Sequence, residues 1–300
     1  MAARRRIERL AWMVGDGRRY RFVGLSLAML SWALAAGCAR SFVGTITTAR
    51  SPAPPGAAPA HEGRSVRPPI LRTVRVGESV EGVPLVLEIF GDGPDKVFLL
   101  GGIHGSEGTS AGLARFFSTY VRQHPELSSG RTIAILAAAN PDGLARERRA
   151  NARGVDLNRN FPARSWRKAG GRGVRHGATP GSEPETRAIM TAVEVVQPQR
   201  ALAIHSIARG RHCNNYDGPG ESLTRLMSHH NGYPVQPSMG YPTPGSFGSW
   251  MGVDQRVPTV TLELPRDLND AECWRENQKA LLAFVRGDSQ HGEPSDTAGR

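Results

Sequence analysis

Two side chains of metal-binding type, His104 and Glu107, stand three residues apart in the segment Gly-Gly-Ile-His-Gly-Ser-Glu-Gly. Because three residues make about one helical turn, an imidazole and a carboxylate at this spacing can reach the same cation. A catalytic zinc ion needs a third protein ligand and an open position for water. His205 follows another apolar run and is the candidate for that third ligand. The alternative is a half-buried histidine that bonds only to the backbone.

These candidate ligands stand next to predicted strands and helices. Short apolar runs predict strands at residues 83–90, 97–100, 132–138, 201–204 and 258–263. Helical spacing predicts helices at residues 107–121, 221–230 and 271–286, and the capping-box spacing of Ser182 and Glu185 predicts another that ends at residue 196. Strands that alternate with helices indicate an α/β fold around a largely parallel sheet. In such folds the chemistry gathers beyond the carboxyl ends of the strands, where His104 and His205 stand.

The composition excludes several classes of protein. With 39% hydrophobic residues the chain can form a core, which excludes full disorder, and no internal repeat indicates a solenoid. The formal net charge is +11, and all but three of the 38 basic residues are arginine. A nucleic-acid groove would interleave basic residues with aromatic ones. The densest basic region, residues 146–175, contains only two aromatic residues, Phe161 and Trp166. We therefore expect no nucleic-acid partner.

The N-terminal residues have the pattern of an export signal. Residues 22–39 are uncharged and follow a basic leader, and the small residues before Cys38 resemble a bacterial lipobox. We therefore predict a lipoprotein signal at residues 1–37, with translation starting at Met1 or Met13 and with Cys38 lipidated. A plain signal peptide and an uncleaved anchor are the alternatives. All three export the chain, and a lipid anchor would hold it on a bacterial membrane, facing the periplasm or cell wall.

Composition also sets the remaining boundaries. Residues 38–69, rich in Pro, Ala and Gly, predict a semi-rigid tether; residues 70–286 predict one folded domain; and the polar residues 287–300 predict a disordered tail. Cys213 and Cys273 lie within the domain. In an exported chain they could form a disulfide, and the alternative is two buried free thiols.

Several motifs of the domain occur together in a recognisable order. They are His104-Gly-Ser-Glu107, Asn140-Pro-Asp-Gly143, the string from Asn151 to Pro162, Ser182-Glu-Pro-Glu-Thr186, His205 and Thr261-Leu-Glu-Leu-Pro265. This series resembles the zinc carboxypeptidase family, with its carboxypeptidase A-like fold, and within it the murein peptide amidase branch. The resemblance covers about residues 75–286, and its most specific part is Val-Asp-Leu-Asn-Arg-Asn-Phe-Pro. It implies a single-domain α/β fold with a mixed, largely parallel sheet flanked by helices, and one Zn²⁺ per chain.

The resemblance implies a role for each site residue. His104, Glu107 and His205 would bind zinc, with water in the fourth position. Glu263 would be the general base that takes a proton from this water and delivers it to the leaving amine. The other implied roles are oxyanion stabilisation by Arg149, binding of the substrate's terminal carboxylate by Asn158 and Arg159, orientation of the first zinc histidine by Asp156, and capping of the substrate by Tyr241.

For some of these residues an alternative remains. Glu263 could be an ordinary strand-end carboxylate, but its place in an apolar run is costly for an unpaired charge and favours the catalytic role. The register of Arg149 is open, because Arg146, Arg148 and Arg153 crowd the same loop. Tyr241 could equally be a packing aromatic in a Pro-rich turn.

The shared machinery of the family hydrolyses an amide beside a free carboxylate. Members of the murein peptide amidase branch cut between γ-D-glutamate and meso-diaminopimelate, whose zwitterionic end would favour an acidic partner; Asp217, Asp254 and Asp267 are candidates. Members that recycle murein peptides are usually cytoplasmic, so the export signal shifts the expected substrate to wall peptides or released muropeptides. An ordinary metallocarboxypeptidase, an N-acyl amino acid deacylase like succinylglutamate desuccinylase and aspartoacylase, and a non-catalytic wall-binding lipoprotein are the alternatives. The intact set of ligands and base argues against the last, and the oligomeric state stays open.

Overall fold

A sheet of eight strands lies at the centre of the computed structural model, which describes residues 71–169, 175–237, 239, 241 and 243–287. The strands are β1 (Leu71–Glu78), β2 (Pro84–Phe90), β3 (Asp95–Leu100), β4 (Arg131–Leu136), β5 (Arg200–Ile207), β6 (Cys213–Asp217), β7 (Val235–Gln236) and β8 (Thr259–Pro265). The helices are α1 (Gly108–Gln123), α2 (Pro141–Ala145), α3 (Pro184–Val196), α4 (Glu221–Asn231) and α5 (Asp270–Arg286). The predicted signal at 1–37, Cys38, the tether and the tail beyond Gly287 lie outside the described residues.

The sheet is mixed, as predicted. Its strand order is β1-β2-β4-β3-β5-β8-β6-β7. The central strands β4, β3, β5 and β8 run parallel, whereas β2 joins β4 and β6 joins β8 in antiparallel pairs. The parallel strands therefore bring their carboxyl ends to one edge, which is where an α/β fold places its chemistry.

Helices cover both faces of the sheet. In β3, Val97 and Leu99 pack into the core with α1, α4 and α5, whereas Phe98 and Leu100 pack into the core with α3. This alternation follows from the two-residue period of a strand, because successive side chains point to opposite faces. Burial on both faces explains why β3, β4 and β5 each contain a continuous apolar run.

The start of α3 differs from the prediction. Ser182 and Glu185 do not form a capping box, because the N-cap is Glu183 and its side chain makes no capping hydrogen bond. The side chains are engaged elsewhere: the Ser182 hydroxyl donates to Glu183, and both Glu183 and Glu185 accept hydrogen bonds from the Asn151 amide. These buried carboxylates thus tie the helix start to the loop that contains Asn151.

Two further features bear on the sequence expectations. Cys213 and Cys273 are buried free thiols, so the disulfide alternative is wrong for this structure. Among the described segments, no helix has the length and apolar character needed to cross a membrane.

Candidate active site

Three neighbouring segments bring the candidate metal ligands together. His104 lies in the loop after β3, Glu107 is the N-cap residue of α1, and His205 lies within β5, which pairs with β3. The loop also packs tightly on the turn that opens α2. A Cβ at Gly105 would lie 2.0 Å from the backbone carbon of Gly143, so only glycine fits there.

The donor atoms of His104, Glu107 and His205 all lie within 4.8 Å of one another, and the three residues are buried. His104 Nδ1 is 3.0 Å from Glu107 Oε1, and His205 Nδ1 is 3.1 Å from both Glu107 Oε2 and His104 Nδ1. Two ring nitrogens at hydrogen-bond distance can bond directly only if one is protonated, whereas a shared cation satisfies both. Two imidazoles and one carboxylate are a donor set of catalytic zinc, so the residues fit this metal.

A buried aspartate bonds to the side of His104 that faces away from the other two candidate ligands. Asp156 Oδ1 lies 3.0 Å from His104 Nε2 and also accepts a hydrogen bond from the Asn158 backbone. Arg149 Nε donates to Asp156 Oδ2 at 2.9 Å. A carboxylate that bonds to the second nitrogen of a ligating histidine fixes the ring orientation and its tautomer. Asp156 therefore occupies the position expected from the resemblance.

The electrostatics of this cluster favour a cation. Burial alone would lower the pKa of His104, but the carboxylates of Glu107 and Asp156 raise it to about 9. Burial alone would raise the pKa of Glu107, yet the two histidines hold it well below its usual range. Without a metal ion, His104 is therefore protonated at neutral pH, and its positive charge balances the carboxylates around it.

Glu263 stands beside His205 and differs from the ligand carboxylate in its surroundings. It lies in β8 opposite His205 and is 8% exposed, and its side chain makes no hydrogen bond or ion pair with any residue that the structure describes. Burial raises its pKa, and the charge of Glu107 adds to the effect against the influence of His205. A buried, unpaired carboxylate with a raised pKa has the character of a general base.

Of the arginines in the crowded loop, Arg149 contacts the ligand cluster. Arg149 Nη1 donates to Glu107 Oε1 at 3.1 Å, and Arg149 also bonds to Asp156, so its guanidinium faces the cluster. Arg146 instead pairs with Glu81, and Arg153 lies 3.7 Å from Glu183. The register expected for Arg149 therefore agrees with the geometry.

Arg159 and Asn158 lie at the same cleft. Arg159 is mostly buried, and its Nη1 donates to the Asn158 carbonyl at 2.6 Å, but it pairs with no carboxylate within the described ranges. Burial lowers its pKa, and the charge of Arg149 acts in the same direction. Asn158 Oδ1 accepts from the Phe247 backbone at 2.8 Å, and its Nδ2 lies 3.4 Å from His205 Nε2. Arg159 is thus a buried cation open to an anionic ligand.

A family model described as zinc carboxypeptidase matches residues 62–216 of the chain. The chain belongs to the zinc carboxypeptidase family. It is 32% identical over 230 residues to murein peptide amidase A of Escherichia coli K12, covering 71% of this chain and 88% of the relative. It is 30% identical over 224 residues to murein peptide amidase A of Vibrio campbellii, covering 70% of this chain and 84% of the relative.

A solved structure agrees with these relatives. The crystal structure of murein-tripeptide amidase MpaA from Escherichia coli O157 matches with a TM-score of 0.56 and 29% identity, covering 73% of this chain and 93% of that chain. Membership makes the protein a zinc-dependent hydrolase, with His104, Glu107 and His205 as the group that could bind one metal ion. It supports an enzyme over the non-catalytic alternative.

The three acidic candidates differ in whether they lie at the cleft. Asp217 lines the cleft together with the ligand cluster. Asp254 instead accepts a hydrogen bond from the Arg164 backbone, and Asp267 pairs with Arg209. Burial raises the pKa of Asp217 to about 6. Its surroundings are tight, because a Cβ on Gly248 would lie 2.0 Å from Asp217 Oδ2.

Tyr241 lines the same cleft and is 46% exposed. It lies close enough to Arg149 and Arg159 to affect their pKa values. An exposed ring at the cleft agrees better with a substrate-facing residue than with a packing aromatic.

Sequence reasoning missed several residues that line the cleft: Arg211, Asn215, Ser246, Phe247, Thr261 and Arg266. For two of them a signal was present. Thr261 stands two residues before Glu263 and so shares its strand face, and Arg266 follows the end of the same strand. The others enter from loops and from β6, whose position the sequence did not reveal.

Proposed function

We propose that this protein is a zinc-dependent amidase that releases diaminopimelate from γ-D-glutamyl peptides of peptidoglycan. The observation that supports this most is the presence of Arg159 and Asp217, with opposite charges, in one cleft beside the ligand cluster. Diaminopimelate has a carboxylate next to the scissile amide and a zwitterionic distal end. It therefore offers an anion to Arg159 and an ammonium to Asp217. The murein peptide amidases among the relatives agree with this substrate class.

The residues would divide the reaction among them. Zinc held by His104, Glu107 and His205 would polarise the substrate carbonyl and make a water molecule acidic enough to attack at neutral pH. Glu263 takes a proton from the attacking water and delivers it to the nitrogen of the leaving amine, which breaks the amide bond. The fixed charge of Arg149 faces the oxygen on which negative charge develops.

Other side chains of the cleft position the substrate. Arg159 binds the carboxylate next to the scissile bond through its planar guanidinium, and the side-chain amide of Asn158, which lines the same cleft, binds it from beside. Tyr241 covers the substrate from the exposed side. Holding the leaving residue at two charged points aligns the amide with Glu263.

The test is incubation of the purified protein with L-Ala-γ-D-Glu-meso-diaminopimelate, read by mass spectrometry. Release of free diaminopimelate, abolished by a chelator and restored by zinc, would support the proposal. An ordinary carboxypeptidase is the second candidate, because Asp217 also suits the side chain of a C-terminal lysine. Faster release of lysine from an α-linked peptide than of diaminopimelate from the tripeptide would favour this second candidate.

We further propose that the enzyme is exported and lipid-anchored through Cys38. The support is the basic leader, the uncharged stretch and the lipobox-like residues of the sequence. Labelling of the full chain with a radioactive fatty acid in a bacterial host should tag the wild type and not the Cys38→Ala variant. Equal labelling of both would contradict the proposal.

A further inference from the structure

Two arginines of the cleft have no role in the mechanism above. Arg211 and Arg266 line the cleft with Glu263, and both are exposed. Neither forms an ion pair with any described residue, in contrast to Arg149, Arg200 and Arg209. Arg266 Nη2 donates to the carbonyl of Ser206 at 3.1 Å, which holds its guanidinium next to the ligand strand. The cleft thus has two cationic groups available to an anion.

The register of β6 and β8 shows where these cations lie relative to the reacting groups. In this antiparallel pair, Cys213 stands opposite Glu263 and Asp217 stands opposite Thr259. Arg211 precedes Cys213 and Arg266 follows Glu263, so both lie beyond Glu263 in the same direction. Asp217 lies four residues along the strand in the opposite direction, or about 13 Å at 3.3 Å per residue. Glu263 therefore separates a negative end of the cleft from a positive one.

We propose that Arg211 and Arg266 form a carboxylate-binding subsite on the acyl side of the scissile amide, which receives the α-carboxylate of a γ-linked glutamyl residue. This inference rests on the proposed function. If the leaving residue occupies the end of the cleft with Asp217, the acyl part of the substrate must lie beyond Glu263, toward the two arginines. The exposure of both arginines leaves room there for the rest of the peptide.

The chemistry of the linkage explains why such a subsite matters. In a γ-linked glutamyl peptide the α-carboxylate is free, whereas in an ordinary α-linked peptide the same carbon is part of the scissile amide. Groups that hold only the leaving residue cannot tell the two apart. A guanidinium pair on the acyl side does so, because arginine binds a carboxylate through two parallel hydrogen bonds. The subsite would thus determine specificity for the linkage.

The test compares two substrates that differ at one group. One is L-Ala-γ-D-Glu-meso-diaminopimelate, and the other has the glutamyl α-carboxylate replaced by a carboxamide. We expect the full-length wild type to cleave the carboxylate form with a kcat/KM at least about tenfold higher, the size of effect usual for hydrogen bonds to charged groups. In Arg211→Gln/Arg266→Gln this ratio should fall toward one.

Two further variants distinguish loss of the subsite from a general effect on folding. Arg211→Gln alone should lower the ratio. The Arg211 side chain makes no hydrogen bond or ion pair within the described part of the chain, so its replacement breaks none. Arg209→Gln is the matched control, because Arg209 belongs to the same loop but pairs with Asp267 and should keep the wild-type ratio.

The outcomes separate the two proposals. If the wild type cleaves both substrates equally well, or if the double variant keeps the wild-type ratio, the subsite is refuted while the amidase function stands. If the wild type cleaves neither substrate but cleaves an α-linked peptide with a free C-terminus, the amidase function is refuted and the subsite with it.

Discussion

His205 and Glu263 stand directly opposite each other on the adjacent parallel strands β5 and β8. The ladder therefore fixes a candidate metal ligand beside the candidate base at the spacing of neighbouring strands, about 4.8 Å. Rigid strands position catalytic groups more accurately than loops do. Replacing a candidate ligand and replacing the candidate base should therefore have different effects, because the ligands should hold the metal and Glu263 should transfer a proton.

Replacement of Glu263 by Gln should leave zinc in place and slow turnover. Gln keeps the size of the side chain but cannot accept the proton of the attacking water, so we expect a loss of roughly 10²-fold or more in kcat. Elemental analysis and steady-state kinetics on the same sample check both parts. Glu221→Gln, on the exposed surface of α4, is the control. Near wild-type turnover in Glu263→Gln would contradict the assignment of the base.

Replacement of His104 by Ala should remove the metal. The variant loses one of three protein donors, and the remaining pair is a poor site for zinc. Inductively coupled plasma analysis of the purified variant should find far less than one zinc per chain, while His229→Ala, on α4 and not part of the ligand cluster, should retain it. One zinc per chain in His104→Ala would refute the ligand set.

Asp156→Asn should weaken zinc binding without removing a ligand. The amide cannot supply the negative charge that holds the His104 ring, so we expect metal affinity to fall by roughly 10- to 100-fold. Competition with a chromophoric chelator measures the change. A variant that retains wild-type affinity would show that the bond between Asp156 and His104 is not needed to orient the ligand.

Titration of Asp217 should make kcat/KM depend on pH. Burial raises its pKa to about 6, so the carboxylate that would bind an ammonium becomes neutral as the pH falls below that value. We expect kcat/KM for the tripeptide to fall below about pH 6 in the wild type. In Asp217→Asn the value should be low throughout and lack this component. A wild-type profile with the same shape as that of the variant would exclude the role.

The buried carboxylate of Asp217 should also destabilise the folded protein at neutral pH. A carboxyl whose pKa is raised on folding binds its proton more tightly in the folded state, so its contribution to stability falls as pH rises from the ordinary 3.8 to about 6. Asp217→Asn should therefore raise the melting temperature at pH 7, by about 2 °C or more, and the gain should shrink toward pH 4. An equal gain at both pH values would show that burial of the charged carboxylate is not the cause.

The parts of the fold that the sequence predicted well are those with the strongest patterns. β3, β5 and β8 are buried apolar strands, and the ligands and the base lie on or directly after them, so spacing and motif order sufficed. β1 was missed, because its arginines interrupt the apolar pattern at the exposed edge of the sheet. β6 was missed because Cys-Asn-Asn-Tyr-Asp is mostly polar, and only its pairing with β8 makes it a strand.

The choice among the acidic candidates could not be made from the sequence for the same reason. Asp217 lies at the cleft because β6 pairs with β8, whereas Asp254 and Asp267 stand in segments that turn toward other partners. Long-range pairing of this kind leaves no local signal. The start of α3 was likewise decided by a distant residue, Asn151, which binds both glutamates.

The proton on His104 links the occupancy of the site to the acidity of its surroundings. Since the carboxylates of Glu107 and Asp156 raise the pKa of this imidazole to about 9, we expect binding of a cation at neutral pH to release a proton. Protons and metal ions therefore compete for the same nitrogen, and the apparent affinity for zinc should fall about tenfold for each unit of acidification. A fall in the pH around the site and a shortage of zinc would then both empty the site and stop the reaction.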